Sequence, residues 1–204
     1  MGWYGEQVLP RVVNSALGSK RFGPMRERVA SGLSGDVVEV GFGSGLNVPY
    51  YPASVRRVKA VEPSAVGKKL AAERVAASPT LIEFVGLDGA SLPLEDQSAD
   101  HVLTTWTLCT IPDVESALEE MRRVLRPGGT LHFLEHGRSS DEKVARAQDR
   151  WTPLNRRLGG GCHLNRPMLD LLEGSGLEVT KIETYYIQGP KAFRYMYEGL
   201  AEKR

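Results

Sequence analysis

The chain has 204 residues, 41% of them hydrophobic and 25% charged, with a formal net charge of +1. That is the make-up of a soluble globular protein with a proper core, and it lacks the basic footprint of a nucleic-acid binder. Two cysteines, Cys109 and Cys162, exclude a disulfide scaffold and point to a reduced, cytoplasmic setting; no signal peptide or bilayer-spanning run is evident, so the ends are expected to be native.

Trp3 to Leu17 carries apolar residues at helical spacing, with Pro10 weakening the opening turn. Phe22 to Leu33 reads as a second helix stopped by Ser34-Gly35. These helices either close over a ligand as a lid or pack on the core. Val37, Val38 and Val40 then suit a parallel strand covered on both faces. The strand opens into Gly41-Phe42-Gly43-Ser44-Gly45, where three alternate glycines leave room for left-handed backbone or for a ligand in close approach. Pro49 and Pro52 shorten whatever helix follows.

Arg57 to Val61 is a second strand, ending at Glu62-Pro63. Ser64 to Ala77 is a helix with Ser64 as its N-cap. Leu81 to Val85 and Asp100 to Thr105 are the third and fourth strands. Val114 to Leu125 is an amphipathic helix, ended by a tight turn at Arg126-Pro127-Gly128-Gly129. Thr130 to Glu135 is the fifth strand. Asp141 to Leu158 and Arg166 to Glu173 are helices. Leu177 to Tyr186 and Lys191 to Tyr197 are two strands joined through Gly189-Pro190. Strand and helix alternate, so the expected fold is an α/β, Rossmann-like, doubly wound seven-stranded sheet, mostly parallel with an antiparallel C-terminal hairpin. Residues 1–204 are expected to form one domain. Within it, 1–35 is a helical lid, 36–137 the cofactor core, and 138–204 the substrate-side helices and terminal strands.

Four features fall at successive strand ends, where an open α/β sheet binds its ligand. They are the glycine turn, Glu62, Asp88 in Gly86-Leu87-Asp88-Gly89-Ala90, and Thr104-Thr105-Trp106. Glu62 can accept bonds from both hydroxyls of a ribose and Asp88 from an adenine amino group, while the fourth segment lies beneath a methionine moiety. The Gly-x-Gly-x-Gly spacing differs from the Gly-x-Gly-x-x-Gly of dinucleotide folds. The two prolines also interrupt the helix that would hold a pyrophosphate. Both facts favour S-adenosyl-L-methionine over NAD. The residues assigned to that cofactor are Glu39, Gly41, Phe42, Gly43, Gly45, Asn47, Glu62, Pro63, Asp88, Gly89, Ala90, Thr105 and Trp106.

Residues 36 to 137 resemble the class I S-adenosylmethionine-dependent methyltransferases near the ubiquinone and menaquinone methylases. The resemblance rests on Glu39-Val-Gly-Phe-Gly-Ser-Gly45, Glu62-Pro63, Asp88-Gly-Ala-Ser-Leu-Pro93, Ala99-Asp100 and Arg123-Val-Leu-Arg-Pro-Gly-Gly129. Ala99 stands where that branch usually has Phe. Thr107-Leu-Cys-Thr110, Phe133-Leu-Glu-His136 and Gly161-Cys-His-Leu-Asn-Arg166 extend the resemblance over most of the chain, to the methyltransferase-like seven family. That family's animal members resemble microsomal alkyl-thiol methyltransferases with an N-terminal anchor. The resemblance implies methyl transfer to a small-molecule acceptor, a thiol first. A phospholipid amine or a quinone-type ring is the rival acceptor; an NAD-dependent oxidoreductase and a non-catalytic cofactor binder stand behind it.

His136, at the end of the fifth strand, and His163, in the Gly159-Gly160-Gly161-Cys162-His163 loop, are the catalytic candidates for assisting the acceptor. Alternatively, His136 bonds a backbone carbonyl and only places the next loop, and His163 is incidental to a flexible helix link. Cys109 and Cys162 are read as packing residues. No Cys/His pair has zinc-ligand spacing, so no metal is expected. Trp106 and Trp151 either wall a pocket or fill the core. Tyr185, Tyr186, Tyr195 and Tyr197 belong to the terminal sheet. Arg146, Arg150, Arg156 and Arg157 form a solvated helix face or a contact with anionic lipid, which leaves peripheral membrane contact open. The oligomeric state is unknown from sequence.

Overall fold

The valine-rich segment Gly35–Val40 (β1) pairs in parallel with Val55–Val61 (β2) on one side and Ala99–Thr105 (β4) on the other, as its two-sided burial demands. This computed structural model describes residues 2–204. Leu81–Gly86 (β3) extends the sheet beyond β2, and Leu125–His136 (β5) extends it beyond β4. Glu178–Tyr186 (β6) and Tyr195–Glu202 (β7) complete a seven-stranded sheet in the order β3-β2-β1-β4-β5-β7-β6. β7 inserts between β5 and β6, antiparallel to both. The α/β architecture with its antiparallel terminal pair matches the expectation.

Alternation along the strands sends successive side chains to opposite faces. Val38, Val102 and Phe133 enter one apolar cluster, under Val114–Val124 (α4) and Met168–Gly174 (α6). Val37, Leu103 and Leu134 enter the other, with Phe22, Met25 and Val29. The burial of Val114, Ala117, Leu118, Met121 and Val124 gives α4 one apolar stripe. Side-chain caps start three helices. Ser64 accepts from Gly67 N at 3.0 Å before Ala65–Ala76 (α3). Asp113 caps α4, and Asp141 caps Glu142–Leu158 (α5).

Four local expectations need correction. Trp3 to Leu17 is not one regular helix: a π-turn at Tyr4–Val8 gives way to Leu9–Leu17 (α1), where Pro10 sits in the first turn and supplies no N–H. The second helix is shorter than read, Gly23–Ala30 (α2) after a 3₁₀ turn at Lys20–Phe22. β5 begins at Leu125 rather than Thr130, with the Pro-Gly-Gly segment carried as a bulge in which Gly128 is left-handed (φ +75°). The last strand runs Tyr195–Glu202, not Lys191 to Tyr197. Lys191–Phe193 makes a 3₁₀ turn, and ladder pairing starts only at Tyr195.

Candidate cofactor and acceptor site

A cavity of about 430 Å³ opens at the C-terminal ends of β1, β2 and β4, the position at which an open α/β sheet takes a ligand. Gly41, Phe42, Gly43 and Asn47 form one wall, Glu62 and Pro63 the next, then Asp88 and Gly89, then Thr105 and Trp106. Gly5, Leu9, Pro10, Val13, Leu17 and Arg26 from the N-terminal segment close the opposite side, with Ile111, Pro112, Gly159 and Gly160. Ten of the thirteen residues assigned to the cofactor therefore meet at one cavity.

The other three do not line it. Glu39 lies beneath it, enclosed, accepting from Asn47 Nδ2 at 2.9 Å and from the Tyr51 hydroxyl. Gly45 is left-handed (φ +73°) and packs on Phe42, Val48 and Ala71. Ala90 packs against the apolar cluster below α4. Neither catalytic candidate reaches the cavity. His136 is buried, with Nε2 2.9 Å from Cys162 Sγ. His163 binds the Cys109 carbonyl through its backbone N–H at 2.8 Å, and its ring nitrogen lies 3.3 Å from the same oxygen. Of the two tryptophans, Trp106 lines the cavity, whereas Trp151 is exposed on α5. The arginines of α5 are exposed, as a solvated face requires.

The Glu62 carboxylate is positioned by the backbone. One oxygen accepts from Gly43 N at 2.6 Å and the other from Ser64 N at 2.7 Å. Burial raises its pKa; those two bonds and nearby Lys68 offset part of the rise. A carboxylate offers about four lone-pair sites, so each oxygen keeps one for a ligand hydroxyl. Asp88 is exposed at the cavity rim, with one oxygen accepting from Ala90 N at 2.9 Å. A Cβ on Gly43 would meet nothing nearer than the Gly41 carbonyl at 3.8 Å, so this backbone presents open space to the cavity.

Arg26 was not anticipated from sequence. It is 4% exposed and donates to Asn47 Oδ1 at 2.6 Å and to Thr105 Oγ1 at 3.3 Å. Its guanidinium lies 4.7 Å from the centre of the Trp106 ring. Burial lowers its pKa to about 10, which leaves it charged at neutral pH. Its Nε has no hydrogen-bond partner among the described residues. Trp106 adopts φ +51°, sparsely populated for a non-glycine residue. It is held there by its N–H bond to the Leu134 carbonyl at 2.8 Å and by edge packing on Phe22. Buried Glu135 organises the turn beyond, accepting from Thr104 Oγ1, Thr107 N and Leu108 N.

Burial pushes Glu39 up to about 7, although Tyr51, Asn47 and Arg26 favour its charged form. Between the ordinary 4.5 and 7, the folded state keeps a proton that the unfolded chain has released. Stability from this residue is therefore full below pH 4.5 and declines as pH rises. Glu135, also pushed up to about 7, acts the same way, and His132, held down at about 4, acts oppositely. The difference between wild type and Glu39→Gln isolates the one residue. The variant's unfolding free energy should fall less between pH 4.5 and 7, by on the order of 2–3 kcal/mol. Denaturant titrations at both pH values check this, and parallel behaviour of the two proteins would remove Glu39 as the source.

Residues 38–133 match the family model described as a methyltransferase domain. The chain is 32% identical over 178 residues to the thiol S-methyltransferase TMT1B of Mus musculus, spanning 82% of this chain and 69% of that protein. It is 30% identical over 193 residues to the thiol S-methyltransferase TMT1A of Homo sapiens, spanning 88% and 75%. In fold it is similar to an S-adenosylmethionine-dependent methyltransferase from Thermotoga maritima, with a TM-score of 0.69 at 22% identity over 98% of this chain and 100% of the other.

Proposed function

The chain belongs to the S-adenosylmethionine-dependent methyltransferases, and on that premise we propose that it methylates a small-molecule acceptor, specifically a thiol. S-adenosylmethionine, when bound, supplies a methyl group activated on a sulfonium. Glu62 accepts from the ribose hydroxyls, and Asp88 with Gly89 receives the adenine edge. Gly41 and Gly43 let the backbone come close to the ligand. Arg26, with its spare buried donor, holds the carboxylate of the amino-acid end, while Thr105 and Trp106 set the floor on which acceptor and methyl align. The N-terminal segment 2–35 acts as the lid, and its Leu9, Val13 and Leu17 make an apolar seat for the acceptor together with Ile111 and Pro112.

One observation carries the choice of acceptor. Among the described residues, the titratable side chains lining the cavity are Arg26, Glu62 and Asp88, all three engaged with the cofactor on this reading. Among those described residues, no histidine, lysine or cysteine lines the cavity. A thiol with pKa near ~8.5 is already a few per cent thiolate at neutral pH and is a strong nucleophile without such help. The kinship to thiol S-methyltransferases supports the same class.

The test is to supply cofactor labelled at its methyl group with thiol, phenol, amine and phospholipid acceptors in separate reactions. Label is expected on apolar thiols, at a rate rising with pH toward the acceptor's own thiol pKa. Label on an amine, phenol or lipid with none on thiols would overturn the acceptor assignment.

The role given to Arg26 has its own check. Arg26→Leu should weaken binding of S-adenosylhomocysteine by roughly tenfold or more, the value of a charge-assisted hydrogen bond. Methylthioadenosine, which lacks the carboxylate, should bind both proteins alike. Equal losses for the two ligands in calorimetry would mean that Arg26 only supports the fold.

A further inference from the structure

Three residues distant in sequence meet beside the cavity without lining it. Cys109 lies in the turn after β4, His136 ends β5, and Cys162 sits in the glycine loop after α5. The two sulfurs and a His136 ring nitrogen all lie within 4.8 Å of one another. His136 Nε2 is 2.9 Å from Cys162 Sγ. Cys109 and His136 are buried and Cys162 is half-buried. Methyl transfer as described above uses none of the three.

We propose that Cys109, His136 and Cys162 form a binding site for a thiophilic divalent cation of the zinc class. Two sulfurs and one imidazole are the donor set that zinc prefers. Bond lengths of about 2.3 Å to sulfur and 2.0 Å to nitrogen place the two sulfurs roughly 3.8 Å apart and each sulfur roughly 3.5 Å from the nitrogen, so spacings that all lie within 4.8 Å need adjustments of no more than about 1.3 Å. Binding is a proton exchange with no redox step. Each thiol releases its proton to solvent, the two thiolates and neutral His136 Nε2 donate electron pairs to the cation, and a water takes the fourth position.

The surrounding backbone is already arranged to hold the ligands. His163 N donates to the Cys109 carbonyl at 2.8 Å, joining two of the ligand segments directly. Asn155 Nδ2 donates to the Cys162 carbonyl at 2.9 Å, which anchors the loop to α5. Buried Glu135, next to His136, accepts from Thr104 Oγ1, Thr107 N and Leu108 N, which fixes the turn that carries Cys109. Arg166, beside Cys109, and Arg194, beside His136, are cations near the cluster; the Arg166 guanidinium is committed to the carbonyls of Leu108 and Ile111. Thr107 and Thr110 flank Cys109, and Gly159 and Gly160 precede Cys162, and all four line the cavity. An ion here would therefore clamp two pieces of the cavity wall together.

The test uses the full chain, reduced, stripped of metal and kept free of oxygen. Titration with cobalt(II) should give a thiolate-to-cobalt charge-transfer band that saturates at one equivalent and is displaced by zinc, and zinc should raise the thermal midpoint. Because replacing enclosed Cys109 endangers the fold, Cys162→Ala on the half-buried loop carries the decision, with circular dichroism as the control for folding. The folded variant should lose most of the band and the zinc-dependent rise in midpoint. A reduced, folded wild type that shows no charge-transfer band in excess cobalt, or a band unchanged in Cys162→Ala, would overturn the site. Neither readout depends on methyl transfer.

Discussion

Gly41→Ala is expected to destabilise the protein by about 2–5 kcal/mol, the largest effect of any single substitution in the glycine turn. Two costs combine. Gly41 has φ +79°, where an alanine pays for the left-handed backbone, and its Cβ would stand 2.0 Å from Thr107 Oγ1 and 2.6 Å from Thr107 Cβ. The second contact cannot be relieved by turning the Thr107 side chain. Thr107 is itself fixed, because its N–H bonds Glu135 at 2.9 Å. Gly43→Ala is the control. Its φ of +58° carries the left-handed cost of ~1–2 kcal/mol, but no neighbour lies nearer than 3.8 Å. That methyl group would project into cavity space, so Gly43→Ala should lose cofactor affinity out of proportion to stability. Denaturant unfolding and cofactor calorimetry on both variants measure the split. Equal destabilisation of the two would mean that the Thr107 contact is not the source.

Glu62→Ala should weaken S-adenosylhomocysteine binding by ~1.5–3 kcal/mol, or roughly 10- to 150-fold, from the loss of charge-assisted bonds. The structure gives this substitution a second route of action. Glu62 also ties Gly43 N and Ser64 N to one carboxylate, so its removal loosens the glycine turn and the start of α3 together. Glu62→Gln separates the two contributions. It retains one carbonyl acceptor for the backbone and loses the charge, so it should recover stability more completely than affinity. Affinity unchanged in Glu62→Ala would remove this residue from the ligand site.

The parts of the fold that could be read from sequence are those set by local chemistry. Val37, Val38 and Val40 announce a strand buried on both faces, Ser64 announces a helix start, and strand-ending Glu62 and Asp88 fall on one cavity because parallel strands deliver their C-terminal ends to one edge. What escaped depends on tertiary context. Arg26 sits in Arg26-Glu27-Arg28, which reads as a solvated helix face. Yet Arg26 is buried against Asn47, while Arg28 is exposed and pairs with Glu198 at 2.7 Å. β7 was placed too early because Glu198, Gly199 and Glu202 disguise its second half. Gly199 is in fact obligatory there, since a Cβ would lie 2.0 Å from the Lys181 carbonyl and 2.8 Å from Phe133.

The cysteines and His136 show the same limit in the site. No local spacing joins Cys109, His136 and Cys162. Their meeting follows from β4 and β5 lying side by side and from the glycine segment after α5, which brings Cys162 beside them. His136 ends β5 at the C-terminal edge of the sheet, but its ring engages Cys162 rather than the cavity.

The most direct test is a crystal structure of the chain with S-adenosylhomocysteine. The ribose hydroxyls are expected on the Glu62 carboxylate, the adenine beside Asp88 and Gly89, and the carboxylate end toward Arg26. A nucleoside bound away from this edge, with Glu62 and Asp88 free of it, would contradict the account.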